Sequence, residues 1–262
     1  MDLQLTNKTA LITGSTAGIG LAIAQRLAAE GAAVILTGRT EARLAAAAET
    51  ILQQTPQASV RGVTVDFGEV AQVDSLLREV PTVDILVNNV GIFEPKPFAE
   101  IDDADWLRFF EVNVLSGVRL ARQYFPLMLA ANAGRIIFIS SESGLQIPAE
   151  MIQYGTTKTA QLAVARGLAE LTKGTGVTVN SVLPGPTASE GVEAFLKQLA
   201  GEGKTHAEAE HEFFRDARPS SLLQRFITPD EIANMVAYLS SPLAAATNGA
   251  AVRVDGGVVR AI

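Results

Sequence analysis

Short β-branched or apolar runs alternate with longer stretches of helical periodicity along almost the whole chain, and this alternation restricts the fold more than any other feature. The first strand, Thr9 to Thr13, precedes a helical pattern from Leu21 to Glu30; Ala-Val-Ile-Leu-Thr at 33–37 precedes a second, Glu41 to Gln53. Val-Thr-Val-Asp at 63–66, a helix near Val70 to Arg78, Asp-Ile-Leu-Val-Asn at 84–88 and a long helix from about Asp103 to Leu129 continue the series. Arg-Ile-Ile-Phe-Ile-Ser at 135–140, a helix carrying Tyr154, and Val-Thr-Val-Asn-Ser-Val at 177–182 follow. Strands that alternate with helices imply crossover connections, hence a parallel sheet covered by helices on both faces. The pattern lapses only between Thr187 and Ile227. Thr228-Pro229-Asp230-Glu231 then reads as a capping box that starts a helix reaching about Ser240, and Ala-Val-Arg-Val-Asp at 251–255 is a last strand before Gly256-Gly257. No linker or repeat divides residues 1–262, so a single α/β domain is expected.

Composition narrows the function classes. The 262 residues are 48% hydrophobic and 19% charged, within the range of an ordinary globular domain. A net charge of -7, with no Lys/Arg run to track phosphates, argues against a nucleic-acid partner. Cysteine is absent, which excludes disulfides and thiolate metal sites. No apolar run has membrane-spanning length, and a strand beginning at Thr9 leaves no room for a signal peptide, so a cytoplasmic protein without membrane contact is expected.

The first strand runs into Thr13-Gly14-Ser15-Thr16-Ala17-Gly18-Ile19-Gly20 and then a helix. Glycines at such a turn let backbone N–H groups and a helix N-terminus approach a pyrophosphate, where the helix dipole favours negative charge. The second strand ends in Thr37-Gly38-Arg39, without the carboxylate that would accept hydrogen bonds from a free ribose. An arginine there suits a 2′-phosphate. Glu41 is near, but belongs to the first turn of the next helix, where acidic residues are common.

Ser141 to Lys158 holds a hydroxyl, a phenol and an ammonium. Tyr154 and Lys158 are four apart, hence on one helix face about a turn from each other. A phenol with pKa about 10 needs tuning by roughly three units, about 4 kcal/mol, to exchange protons readily at neutral pH. A cation about 4 Å away at an effective dielectric near 20 supplies that much, which assigns Lys158 the expected task of lowering the Tyr154 pKa. Ser141 would steady a substrate oxygen while negative charge builds on it.

Together these residues resemble the classical short-chain dehydrogenase/reductase family over essentially the whole chain, and within it the carbonyl reductases similar to 3-oxoacyl-ACP reductase. Gly14, Gly18 and Gly20 match its glycine motif, Asp66 its adenine-side acid, and Asn88-Asn89-Val90-Gly91 its Asn-Asn-Ala-Gly stretch, with Val90 in place of Ala. Asn113 stands where the family's catalytic-helix Asn is found, and Ser141 lies thirteen residues before Tyr154, the family spacing. Pro184-Gly185 matches the loop after the sixth strand, with Thr187 and Ser189 placed for the nicotinamide amide and the phosphates. The resemblance implies a Rossmann-type doubly wound fold and further cofactor contacts from Ser15, Thr16, Ile19, Phe67, Asn89 and Gly91. It also implies a mechanism: NADPH delivers hydride to a carbonyl, Tyr154 protonates the oxygen, Ser141 steadies it, Lys158 holds the ribose, and Asn113 anchors a water that passes protons to Lys158. NAD(H) is the alternative cofactor. An NAD-dependent alcohol dehydrogenase working in the oxidising direction, or a non-redox or regulatory dinucleotide-binding protein, is the alternative function.

Residues 187–226 are expected to form a substrate-binding lid within the domain. Phe195, Leu196, Leu199, Phe213, Phe214, Leu222, Leu223 and Phe226 are interleaved there with polar residues, as in amphipathic helices, which suggests ketones with hydrophobic substituents. His206 and His211 match no familiar ligand spacing, and no metal is expected. A small-residue stripe of Ala160, Ala163 and Gly167 ending at Leu171 suits close helix packing between subunits, and the resemblance implies a homotetramer.

Overall fold

The computed structural model of the protein describes residues 1–189 and 205–262. Seven parallel strands form one sheet in the order β3-β2-β1-β4-β5-β6-β7: β1 (Thr9–Ile12), β2 (Ala33–Gly38), β3 (Val60–Thr64), β4 (Ile85–Asn88), β5 (Gly134–Ile139), β6 (Val177–Pro184) and β7 (Ala251–Val254). Helices α1 (Gly18–Ala29), α2 (Glu41–Gln54) and α8 (Pro229–Ser240) cover one face, with Ile23, Leu27, Ile51, Ile232 and Val236 buried against it. On the other face lie α3 (Val70–Glu79), α5 (Ser116–Ala131) and α6 (Ile152–Glu170), contributing Leu76, Leu120, Tyr124 and Ala165. Among the described residues, α4 (Asp103–Phe110) and α7 (His206–Asp216) lie outside these sets. Burial on both faces explains why β4 and β6 read as continuous apolar or uncharged runs. The chain builds β1, β2 and β3 outwards, then crosses back to place β4 on the other side of β1. That reversal opens a crevice at the carboxyl ends of the strands, the place where ligands bind in such sheets.

Two element boundaries differ from expectation. The third strand was expected at 63–66 but runs Val60–Thr64, pairing Val34 with Val60 through to Gly38 with Thr64. It is the sheet's edge, so Arg61 and Gly62 are exposed and carry no apolar signal, while Asp66 lies beyond the strand and accepts the Gly68 N–H at 2.9 Å. The expected helix Asp103 to Leu129 divides into α4 and α5 around a π-turn, Glu111–Leu115, which contains Asn113. The π-turn keeps the chain helical throughout, so the segment reads in the sequence as one long helix.

The capping box forms as expected: the Thr228 hydroxyl accepts the Glu231 N–H at 3.3 Å, and the Glu231 carboxylate accepts the Thr228 N–H at 2.8 Å. The excursion after β6 leaves and returns at one point. Ala188 N–H donates to the Ile227 carbonyl at 2.8 Å and Ile227 N–H to the Pro186 carbonyl at 2.9 Å. Within it, Phe213, Phe214 and Phe226 pack with ring centres 5.1 Å apart; Phe195, Leu196 and Leu199 lie outside the described residues. His206 and His211 are exposed on α7. Among the described residues no group of three or more His, Cys, Asp or Glu could hold a metal ion, and no helix is long and apolar enough to cross a membrane.

Candidate active site

The turn after β1 is shaped by left-handed backbone at Gly14 (φ 62°) and Gly18 (φ 53°). A Cβ on Gly20 would lie 2.4 Å from the Gly14 carbonyl oxygen, so only glycine lets α1 begin this close to the turn. No side chain caps the α1 N-terminus, and uncapped helix N-termini of this kind suit anions. Thr13, unremarked in the sequence, clamps the turn to the end of β4: its hydroxyl accepts the N–H of Asn89 at 2.7 Å and of Val90 at 2.9 Å. The Asn89 amide donates to the carbonyls of Thr13 and Gly14 at 2.8 and 3.1 Å.

Two side chains among the residues expected to contact cofactor are committed elsewhere. Ser15 is fully buried; its hydroxyl donates to the Ile12 carbonyl at 2.9 Å and accepts the Thr37 N–H at 2.9 Å, while its own N–H donates to the Thr37 carbonyl. It ties β1 to β2. The Phe67 side chain is buried in the core among Leu11, Ile35 and Val73. Thr16 packs over Gly38, and Arg39 stands exposed just beyond the end of β2.

Ile19, Asn89, Gly91, Ser141, Tyr154, Lys158, Pro184, Gly185, Thr187 and Ser189 all line one cavity of about 240 Å³. Residues separated by up to 170 positions thus meet at the crevice. Ser141 ends β5's extension and opens a 3₁₀ turn, Glu142–Gly144, by accepting the Ser143 N–H at 3.1 Å. The neighbouring Ser140 hydroxyl donates to the Lys158 carbonyl at 2.8 Å, fastening that turn to α6. The edge of the Phe93 ring meets Tyr154 with centres 6.3 Å apart. Thr187 spends its hydroxyl on the Gly185 carbonyl at 2.8 Å.

The electrostatics differ from expectation. Burial raises the Tyr154 pKa well above that of a free phenol, and the charge of Glu142 raises it further; hydrogen bonding with Ser141 and the charge of Arg218 only partly oppose this. Lys158 is directed elsewhere. Its ammonium lies 5.6 Å from the centre of the Tyr154 ring and donates instead to the Ile139 carbonyl at 2.9 Å and to Gln161 Oε1 at 3.3 Å. Burial pushes the Lys158 pKa down to about 8, against the opposing pull of Glu142.

Asn113 is tied to two neighbouring segments. Its amide oxygen accepts the Ile92 N–H at 2.7 Å, and its amide nitrogen donates to the Ile92 carbonyl and the Thr157 hydroxyl, both at 3.0 Å. Its main-chain carbonyl accepts from Gln161 Nε2. The Gln161 side chain thus connects the Asn113 carbonyl with the Lys158 ammonium. Gln161 lies three residues beyond Lys158 on the same helix face, so a signal for it was available in the sequence.

Glu142 and Arg218 complete the wall. Glu142, 5% exposed, accepts from the Ser141 hydroxyl through one oxygen and from Arg218 Nε at 3.3 Å through the other. Arg218, 9% exposed, also donates to Glu150 at 3.0 Å and to the Ala217 carbonyl at 2.7 Å. No local pattern marks this pair, because its members are 76 residues apart.

Residues 8–200 match the short chain dehydrogenase family. The uncharacterized oxidoreductase YvaG of Bacillus subtilis is 51% identical over 263 residues, covering 100% of both chains. The 3-oxoacyl-acyl-carrier-protein reductase FabG of Aquifex aeolicus is 31% identical over 98% of this chain and 100% of its own. A crystal structure of L-sorbose reductase from Gluconobacter frateurii, complexed with NADPH and L-sorbose, matches with a TM-score of 0.92 and 32% identity over 100% of both chains. Likeness of sequence and of fold along the full length leads to one conclusion: the chain belongs to the short-chain dehydrogenase/reductase family of oxidoreductases.

Proposed function

We propose that this protein is an NADPH-dependent reductase that converts a ketone or 3-oxoacyl-type carbonyl to the alcohol. The observation that carries this reading is the Tyr154 phenol on the wall of one cavity together with Ser141 and Lys158. A phenol is protonated at neutral pH and so has a proton to give to a carbonyl oxygen. Ser141 steadies that oxygen as charge develops. The glycine turn, the uncapped α1 N-terminus and the loop from Pro184 to Ser189 fit a dinucleotide, and Lys158 fits its nicotinamide ribose. When bound, the nicotinamide supplies the hydride, while the protein supplies placement and electrostatics. Arg39, exposed where an NAD site would carry an acid, supports the choice of NADPH. The names of FabG and of the NADPH-complexed L-sorbose reductase agree with this class of reaction.

Phe213, Ala217 and Phe226 line the cavity from the excursion after β6, which supports a substrate lid within residues 187–226 of a single functional domain. Hydrogen exchange across 205–226, with and without NADPH and a reducible ketone, tests this; an unchanged pattern removes the lid. Ala163, Gly167 and Leu171 are exposed along α6, and a Cβ on Gly167 would meet nothing within 4 Å, which supports pairing of this face in a tetramer. A monomeric mass in sedimentation removes that assembly. For the reaction itself, a panel of ketones and 3-oxoacyl thioesters is assayed by loss of NADPH absorbance. Absence of turnover on the whole panel, with either NADPH or NADH, would overturn the reading.

A further inference from the structure

We propose that Glu142, held by Arg218, forms a subsite for a hydroxyl on the carbon next to the substrate carbonyl, so that the preferred substrates are neutral α-hydroxy ketones. This rests on the proposed carbonyl reduction at Tyr154 and Ser141. Hydrogen-bond accounting leads to it. Ser141 has one hydroxyl proton and gives it to a Glu142 carboxylate oxygen. When Ser141 turns that proton towards a carbonyl oxygen, the Glu142 oxygen loses its donor in a place only 5% exposed, where solvent replaces it poorly. The donor that restores the balance must come from the substrate. Because the Ser141 hydroxyl then touches the carbonyl oxygen and remains beside Glu142, the nearest carbon able to carry it is the one adjoining the carbonyl.

Charge decides against two other ligand classes. Arg218 already faces both Glu142 and Glu150, so a substrate carboxylate would bring a third negative group to one guanidinium. A wholly apolar substituent suits Phe213 and Phe226 on the roof of the cavity, but leaves the Glu142 side without a donor. The product is a vicinal diol: the carbonyl carbon gains the hydride of the reduced cofactor, which leaves oxidised, and the carbonyl oxygen gains a proton from Tyr154.

Hydroxyacetone and butan-2-one differ by a hydroxyl in place of a methyl, and their kcat/KM ratio on one enzyme preparation is unaffected by the fraction folded. The parent enzyme is expected to favour hydroxyacetone by about ten- to a hundredfold, the effect of one buried acceptor kept in partnership. Glu142→Leu is expected to bring the ratio close to one; if it fails to fold, Glu142→Gln, a weaker acceptor of similar size, is expected to lower the ratio severalfold. A parent ratio near one overturns the subsite while leaving carbonyl reduction in place. An unchanged ratio in the folded variant also overturns it and makes the Glu142–Arg218 pair purely structural. Faster turnover of acetoacetate than of methyl acetoacetate overturns it in favour of an anion anchor at Arg218. Inactivity on every carbonyl compound fails the underlying reaction instead.

Discussion

Gln161 bridges from the Asn113 carbonyl, to which its amide nitrogen donates, to the Lys158 ammonium, whose proton its amide oxygen accepts at 3.3 Å. This amide side chain, 2% exposed, holds the ammonium in place. Lys158, with its pKa pushed down to about 8, loses its charge just above neutral pH. Reduction is therefore expected to fall above about pH 8 as the ammonium deprotonates. Gln161→Leu removes an acceptor that favours the charged form, so the alkaline limb of kcat/KM should move to lower pH. Gln161→Glu should restore it or move it higher. Identical limbs in all three proteins would show that Gln161 only fills space.

The same lysine makes stability depend on pH. Its pKa is about 8 in the folded chain against an ordinary 10.5, so between those values the unfolded chain holds a proton that the folded chain has released. Stability due to Lys158 therefore rises with pH through this window, and its burial penalty is complete only below it. Relative to Lys158→Met, which lacks the titration, the parent should gain up to about 3 kcal/mol on going from pH 7.5 to 10.5. Denaturant titrations of both proteins at the two pH values measure the difference, and parallel curves would contradict it.

Tyr154→Phe removes the transferable proton and leaves the ring against Phe93. Turnover should fall by about a hundredfold or more, the usual contribution of a general acid, with little change in the Kd for NADPH. Turnover within a few-fold of the parent would exclude the phenol as proton donor.

Arg39→Ala removes the exposed cation at the end of β2. A charge-assisted hydrogen bond contributes about 1.5 to 3 kcal/mol, so the ratio of kcat/KM for NADPH over NADH should drop by about ten- to a hundredfold, chiefly through KM for NADPH. A parent enzyme more efficient with NADH would reverse the cofactor assignment.

Gly20→Ala places a methyl group 2.4 Å from the Gly14 carbonyl oxygen and 2.6 Å from the Asn89 amide. Backbone on one side and a twice-bonded amide on the other leave no flexible neighbour to yield. The expected cost is about 1–3 kcal/mol, read as a Tm lowered by several degrees, together with weaker NADPH binding in titration calorimetry. An unchanged Tm with unchanged affinity would mean that the turn relaxes freely.

Local periodicity and local chemistry were legible in the sequence because each depends on residues a few positions apart. The alternation of strands and helices, the Thr228 capping box, the glycine turn and the Tyr154–Lys158 face are of this kind. The amino-acid order also announced the family, through motifs spread in sequence from Gly14 to Gly185. What tertiary structure alone decided was how polar groups share their hydrogen bonds. Ser15 looks like a phosphate ligand until β2 is laid beside β1 and takes both its hydroxyl and its N–H. Asn113 gains Gln161 as a partner only once the π-turn sets its carbonyl against α6. The phenol of Tyr154 was expected to be tuned downwards by Lys158, but folding buries it and sets Glu142 near, and these outweigh a lysine turned towards Ile139. Arg218 reaches Glu142 across 76 residues because the excursion after β6 returns over the cavity, a closure that no local pattern encodes. A charge acquires its partners and its dielectric only when distant segments enclose it, so the pairing and the pKa values at this site belong to the fold as a whole.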